Sequence, residues 1–465
     1  MSNTASSSAT ERALTQGQIV ARLERLPLSW WHIRARVIVG IATFFDAFDI
    51  LAITFALPVL AELWKIAPQQ IGLILSSGFA GQLVGALIAG SLAERFGRLR
   101  IAGVTIAIFA MMSLVCAFAW NPHSMMVFRF LQGIGLGGEV PVAAAYISEV
   151  AHAGNRGRFF ALYELIFPLG LLSTAILGYW MVPRLGWQSM FYVGAAPALL
   201  VIFLRRLLPE SPRWLASKGR LWEADAAVSR IEGVIIRSGT ALPPPTVEPL
   251  AGSLRSPQSP PTHWSELFRG IYLRRTLVAW CLWFCTYIVS YGLITWLPTL
   301  YGTVFHVSLT KALGYGLITQ CIGFVGSISC ALLIDRVGRR AWFIGAFFGA
   351  ALSLFALSLF GVASATSVFA CASAGYFFVA SLSLLVYLYT SEIYPTRIRA
   401  FGCGVASAWL RLASAIGPGI VAFMIVSHGL RSLFAVFGAF ALFGGLATVL
   451  AGIETRSRLL EELSP

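Results

Sequence analysis

Charge is scarce in this sequence, and acid is scarcer than base. Only 12% of the 465 residues are Asp, Glu, Lys or Arg, against 57% apolar, and Lys plus Arg outnumber Asp plus Glu by 34 to 20. Soluble domains carry about twice that share of charge, so the composition excludes an ordinary globular fold. No apolar stretch precedes residue 37, so no cleavable signal is expected. Metal-ligand spacing and a nucleophile triad are both missing. His32, His123, His152, His263, His306 and His428 all fall at loops or at the ends of apolar runs. A membrane enzyme or receptor is therefore disfavoured, and no catalytic residue, metal or cofactor is expected. The seven cysteines form no CxxC pair and all lie in apolar runs, where they read as packing residues, Cys281 and Cys285 included. The glycines of Gly133-Ile134-Gly135-Leu136-Gly137-Gly138 follow no strand and sit inside an apolar run, which excludes a nucleotide loop and leaves close helix packing.

What is present is length and apolarity. Twelve runs are long enough to cross a bilayer. They lie near residues 37–60, 70–92, 101–120, 124–147, 159–182, 188–207, 276–300, 312–334, 341–363, 366–389, 401–426 and 431–452. They predict an all-α integral membrane protein with twelve transmembrane helices in two six-helix bundles. The expected divisions are a cytoplasmic N-terminal segment 1–36, a first bundle 37–207, a linker with short helices 208–273, a second bundle 274–453 and a tail 454–465. The +14 net charge is not a nucleic-acid signature, because of where it falls. With the N-terminus inside, Lys65, Arg184, Lys311 and Arg431 fall outside, Arg129 and Arg411 fall in spans, and every other Lys and Arg is cytoplasmic. That bias predicts both termini in the cytoplasm of a cell (inner) membrane protein.

One loop pattern occurs twice. Residues 90–100 contain Glu94, Arg95, Gly97 and Arg98, and residues 331–340 contain Asp335, Arg336, Gly338 and Arg339. A second pair follows at nearly the same offset, with Ser148-Glu149 before Arg156 and Ser391-Glu392 before Arg397. A half-chain repeat in an apolar protein predicts two pseudo-symmetric bundles facing each other. Acids add little to the rule that sets topology, so acid-plus-base clusters at four matching helix ends exceed what topology alone needs, although the Arg residues also set it.

Six charged side chains lie well inside the predicted spans: Asp46, Asp49, Arg129, Glu139, Glu164 and Arg411. Each costs roughly 2.5–3.5 kcal/mol at a helix centre, so such residues are functional candidates by default. Asp46 lies ten residues beyond Arg36, Glu139 ten before Glu149 and Arg411 twelve beyond Arg399. At a rise of ~1.5 Å per residue these are depths of about 15–18 Å, close to the midplane of a ~30 Å core. Asp49 is one turn further along the face of Asp46, and Glu164 lies closer to the cytoplasmic gate. The deep acids are all in the first half. A buried carboxylate can carry a proton near neutral pH, whereas Arg411 stays charged and offers a planar fork to an anionic group. Proton coupling is therefore expected at Asp46, Asp49 and Glu139, and substrate binding at Arg411. Structural readings stay open: Asp46 or Asp49 pairing with Arg129, Glu139 bonding backbone near Pro141, and Arg411 pinning helices. Phe48, Tyr287, Tyr291 and Trp409, with Gln320 as a lone polar group, are candidate pocket walls that would suit an aromatic ring. Lipid-facing or interfacial positions are the alternative for each aromatic.

These residues resemble the major facilitator superfamily over nearly the whole chain. The loop motif of that superfamily is similar to Gly90–Arg100 and, more weakly, to Asp335–Arg340. Arg129-Phe130-Leu131-Gln132-Gly133 resembles its fourth-helix motif. Pro209-Glu210-Ser211-Pro212-Arg213-Trp214, Ser391–Arg397 and Glu454-Thr455-Arg456 resemble its sugar-porter and metabolite-porter branches. Asp46-Ala47-Phe48-Asp49 resembles a signature of aromatic-acid:proton symporters, and Gly137–Val142 is similar to nicotinate-type relatives. The resemblance implies transport by alternating access, gate charges that join across the bundles when the cytoplasmic side closes, and a coupling or structural role for Arg129 near the proton-carrying acids. The expected function is proton-coupled symport of a small organic anion, an aromatic or heteroaromatic carboxylate, by a protein acting as a monomer in the bilayer. A sugar or polyol symporter and a drug or metabolite exporter remain as alternatives.

Overall fold

The computed structural model describes residues 15–27, 29–150, 166–199, 207–240, 242–244, 264–361, 364–394 and 396–456. These form a nearly all-helical molecule. A short α1 (Gln16–Glu24) precedes the long helices α2 (Trp30–Trp64), α3 (Pro68–Phe96), α4 (Arg98–Cys116), α5 (Pro122–Val150) and α6 (Ile166–Leu185). Then come α7 (Gln188–Gly194), α8 (Pro212–Ser217) and α9 (Leu221–Arg237). A second long series follows: α10 (Gly270–Thr303), α11 (Leu309–Val337), α12 (Arg339–Ala356), α13 (Ala365–Ile393), α14 (Thr396–Ser427) and α15 (Gly429–Ala451). Ten of the described helices are long and apolar enough to cross a membrane. α5 adds a further helix of 29 residues where a span is predicted. Residues 200–206 of the predicted sixth span, and the start of the fifth, fall outside the described residues.

Helix ends follow local chemistry. Pro68 opens α3 in its first turn, where its missing N–H is no loss. Ser364 caps α13 by accepting from the Ser367 N–H. The two copies of the repeated loop bend at the same point. Gly97 (φ +113°) separates α3 from α4, and Gly338 (φ +95°) separates α11 from α12, a conformation that L side chains rarely adopt.

α3 and α5 touch backbone to backbone. A Cβ on Gly81 would lie 2.0 Å from the Phe130 carbonyl oxygen, and one on Gly137 would lie 1.9 Å from that of Gln82. Any side chain there would force the helices apart. This close seam fixes the rotation of α5, and so the direction in which Arg129, Gln132 and Glu139 project.

α2–α7 pack mainly among themselves, as do α10–α15. The two halves meet through α3 on α14, α6 on α11 and α2 on α10. Their closest glycine approaches lie away from the repeated loops. The Gly72 position abuts Pro418 and Ala422, Gly316 abuts Pro298 and Phe55, and Gly302 lies beside Pro58. The halves therefore pack closely at this far end. At the motif end, α1, α8 and α9 share one apolar cluster with the first half, in which Ile19, Leu23, Val228 and Ile231 bury against a set that includes Leu99, Val142 and Tyr146. Burying each such aliphatic side chain stabilises by roughly 1.5–3 kcal/mol.

Candidate functional site

α2 carries Asp46 and Asp49 one turn apart, and both are buried. Their surroundings differ. The Asp49 carboxylate is fully engaged: Arg129 donates to one oxygen at 2.5 Å and Gln132 to the other at 2.6 Å. Arg129 also donates to the Gln132 side-chain oxygen at 2.9 Å. Arg129 and Gln132 sit one turn apart on α5, so this acid, base and amide form a closed triangle inside the first half. The arrangement selects the ion-pair reading for Asp49. Gln132 was legible as the polar residue a turn after Arg129, but its role was not anticipated.

Asp46 has no such triangle. One of its oxygens is buried without a hydrogen-bond partner, and so are both oxygens of Glu139. Asp46 and Glu139 lie within electrostatic reach of each other and of Arg411 on α14 in the second half. The Thr43 side chain stands as a hydrogen-bonding neighbour of Glu139. Among the described residues the half-buried Arg411 forms no salt bridge. Two acids from one half and a cation from the other therefore lie within one another's field.

An aromatic column rises along α10 beside this group. Trp283 stacks with Tyr287 at 5.7 Å between ring centroids, and Tyr287 lies 5.6 Å from Tyr291. Tyr291 crosses the seam, its ring 5.3 Å from Phe79 of the first half. Gln320 on α11 accepts from the Tyr376 hydroxyl at 3.3 Å, and Ser290 also bonds Tyr376. Two expected wall residues lie elsewhere. Phe48 is fully buried within the first half, its ring tilted against that of Phe45 at 5.7 Å and close to Gly194. Trp409 packs on Trp280 (5.3 Å) and Phe284 (6.1 Å) rather than on the Tyr287–Tyr291 pair. Helix periodicity gives the face of a residue but not its level against a neighbour, which is why these two misled.

At the motif end, Arg98 pairs with Glu149 at 3.1 Å and Arg339 with Glu392 at 3.0 Å and Asp335 at 2.8 Å. Every one of these pairs stays within its own half, so among the described residues the gate charges do not join across the bundles. Arg95 lies over the Phe96 ring, Glu94 and Arg336 are exposed, and the Glu94 backbone oxygen accepts from Trp214. Two acids anticipated only as motif members close the loops. Glu210 accepts from the Leu99 N–H at 3.0 Å, and Glu454 from those of Arg339 at 2.9 Å and Arg340 at 3.1 Å. Each thereby satisfies the first turn of the helix after the glycine bend. Burial pushes the Glu454 carboxyl up, but the N–H groups of Arg456, Arg339, Arg340 and Thr455 together hold it below its ordinary range. Arg156, Glu164 and the side chain of Arg397 lie outside the described residues. Among the described residues no group of His, Cys, Asp or Glu could hold a metal.

Four similarities bear on this site. The pattern of the family described as sugar (and other) transporter matches residues 36–465. The niacin transporter NiaP of Acinetobacter baylyi is 35% identical, over 96% of this chain and 99% of its own. The 4-hydroxybenzoate transporter PcaK of the same organism is 29% identical, over 90% of each chain. Among solved structures, the major facilitator superfamily proton:xylose symporter XylE superposes with a TM-score of 0.70 at 22% identity, covering 93% of this chain and 98% of its own. The shared architecture is the major facilitator fold of two six-helix bundles.

Proposed function

We propose, from the premise that this chain belongs to the sugar (and other) transporter family, that it is a proton-coupled symporter of a small aromatic or heteroaromatic carboxylate. The protein is a multi-pass membrane transporter, not an enzyme. The single observation that carries the cargo reading is the meeting of Asp46, Glu139 and Arg411: two buried acids in one half, and in the other a cation that forms no salt bridge among the described residues, within electrostatic reach of both.

Arg411 presents a fork that matches a carboxylate in two hydrogen bonds. The aromatic surface of Phe79, Tyr287 and Tyr291 supplies a face for a planar ring. Asp46 and Glu139 are eased by a proton, water or cargo, because a buried carboxylate with few donors is costly to keep charged. Asp49 and Arg129 hold α2 to α5. The names of NiaP and PcaK, which refer to niacin and 4-hydroxybenzoate, favour the same cargo class. The gate is assigned to Glu94, Arg95, Gly97, Arg98, Glu149, Asp335, Arg336, Arg339 and Glu392. In this reading the motif end faces the cytoplasm, both termini lie there, the membrane is the cell (inner) membrane and the monomer is the working unit.

Uptake of labelled nicotinate and 4-hydroxybenzoate into proteoliposomes tests it. Arg411→Ala is expected to raise KM roughly 10- to 100-fold, the equivalent of losing a charged hydrogen-bond pair worth about 1.5–3 kcal/mol. Asp46→Asn is expected to abolish accumulation driven by a pH gradient while leaving exchange of internal for external cargo. If Arg411→Ala spared transport and neutral sugars competed, the cargo would be a sugar.

A further inference from the structure

We infer that the side-chain amide of Gln320, oriented by Tyr376, donates a hydrogen bond to a ring nitrogen of the cargo, so that the site selects a pyridine carboxylate over a benzoate or a hydroxybenzoate. The aromatic-anion reading of the site is the premise, and the cargo class is narrowed within it.

Gln320 lies on the inward stripe of α11. Gly316, one turn before it, abuts Pro298 of α10 and Phe55 of the first half, and Gly323, one turn after it, abuts Tyr376 of α13. Ile318 and Val325, on the opposite side of the helix, are exposed. The Tyr376 ring is fixed by packing, since a Cβ on Gly323 would stand 2.2 Å from its Cε1. Its hydroxyl donates to the Gln320 side-chain oxygen at 3.3 Å. Bonds to either side keep α11 and α13 in register: Thr319 meets Ser373 at 2.7 Å, and Ser327 donates to the Ala380 carbonyl at 3.2 Å. An amide whose oxygen is taken by a fixed hydroxyl turns its two N–H donors away from it. Gln320 is only 5% exposed. Its nitrogen makes no hydrogen bond among the described residues, yet it is not sealed from water. A free neutral donor therefore opens on the inside of the second half, away from lipid.

That donor stands beside the aromatic column. Ser290, the residue before Tyr291 on α10, bonds the same Tyr376 hydroxyl, and Tyr291 carries the column across to Phe79. α10 packs against both α11, which bears Gln320, and α14, which bears Arg411. A planar cargo on the column thus has a cation on one flank for its carboxylate and an amide donor on the other for its ring. A ring nitrogen suits that donor because it accepts and donates nothing. A ring hydroxyl must also place its own hydrogen, and the Gln320 oxygen is already taken by Tyr376. A plain C–H edge leaves the amide unpaired in a buried site, which weakens binding by roughly 5- to 150-fold. Tyr376 is a positioning residue here, acting on the cargo only through Gln320.

Calorimetric titration of the full-length protein in detergent with nicotinate, benzoate and 4-hydroxybenzoate tests this, at neutral pH where the pyridine nitrogen is unprotonated. The native protein is expected to bind nicotinate at least about tenfold more tightly than the other two. Gln320→Leu keeps the volume and removes the amide. It is expected to bring nicotinate and benzoate within about threefold of each other, by weakening nicotinate alone. Tyr376→Phe leaves the amide but frees it to turn its oxygen to the ring. Its preference for nicotinate is expected to fall, and 4-hydroxybenzoate to bind several-fold more tightly than to the native protein, a gain that lost packing would not give. Thr319→Val, which removes the neighbouring bond to Ser373, is expected to keep the native order and ratios. Equal binding of nicotinate and benzoate by the native protein overturns the inference and leaves the aromatic-anion reading intact. So does a preference that survives Gln320→Leu, or an equal loss of both acids by a Gln320→Leu protein whose thermal unfolding is native-like. Should Gln320→Leu fail to fold, Tyr376→Phe decides, and native ratios in it overturn the inference. Failure of the native protein to bind any of the three acids overturns the cargo reading and this inference with it.

Discussion

Asp46 and Asp49 are the same residue type, one turn apart on one helix, and their surroundings give them opposite work. Asp49 is held by Arg129 and Gln132 on both oxygens, whereas Asp46 keeps an oxygen with no donor. Removing one member of a buried ion pair leaves the other charge uncompensated, at a cost of about 3–5 kcal/mol. Asp49→Asn is therefore expected to lower the melting temperature of the purified protein by several degrees, and Asp49→Asn with Arg129→Gln to recover part of that loss. Asp46→Asn and Glu139→Gln leave no cation buried alone and are expected to melt at or above the native temperature. A melt in which Asp46→Asn is the worse of the two would reverse the assignment. The sequence made both acids visible as deep charges. It could not separate them, because the partner of Asp49 is chosen by the rotation of α5, which the backbone contacts of Gly81 and Gly137 set.

Among the elements, α1 is the least expected. The first 36 residues read as a polar segment, yet Thr15 and Gln18 form a capping box and open a helix. That signature, Thr followed three residues later by Gln, was in the sequence and precedes an apolar pattern of Ile19, Leu23 and Leu26. α1 buries this face against the first half and clamps α9 by charge. Arg22 donates to Glu232 and to Asp225, Arg25 donates to Glu232 at 2.6 Å, and Arg213 pairs with Glu24. Burial pushes the Glu232 carboxyl up, but Arg22 and Arg25 outweigh it and hold the carboxyl below its ordinary value of 4.5. A carboxyl held low in the folded state stabilises that state above its ordinary value and loses the contribution as pH falls through the depressed one. The clamp is thus expected to be intact at neutral pH and to loosen only in strong acid, below 4.5. Each partly exposed pair is worth roughly 0.2–1 kcal/mol. Glu232→Gln, which unmakes two of them, is expected to speed hydrogen exchange of the α1 amides by several-fold at neutral pH while leaving α10–α15 unchanged. Equal rates in both proteins would mean that the apolar face alone holds α1. α9 was legible from its period; its attachment was not, because the partners are about 200 residues away in the chain.

At the scale of the whole molecule the repeat is carried through to atomic detail. Each half bends at a glycine of positive φ, caps the next helix with a distant glutamate (Glu210 or Glu454) and ties the loop arginine to a glutamate one span on (Glu149 or Glu392). This symmetry was visible in the spacing of the motifs. What was not visible is which side is shut, since one sequence must specify contacts for both sides and only geometry tells which set is made. Among the described residues the gate pairs stay inside their own halves and the close glycine approaches between halves lie at the far end, so the arrangement reads as closed there. Pro58 and Gly302 give a direct handle on that seam. They lie on α2 and α10, one in each half, and a Cβ on Gly302 would stand 3.9 Å from that of Pro58. Disulfides form at Cβ separations of about 3.5–4.5 Å. A Pro58→Cys, Gly302→Cys protein, with the native cysteines replaced by Ala, is expected to cross-link on mild oxidation without moving the backbone. Locked closed at the far end, it should bind cargo from the motif side, fail to transport in either direction, and regain uptake on reduction. Each single-cysteine protein should transport under both conditions and so report any effect of losing Pro58 itself. Continued transport by the fully cross-linked protein would show that the halves do not part at this seam, and the rocking mechanism would need a different pivot.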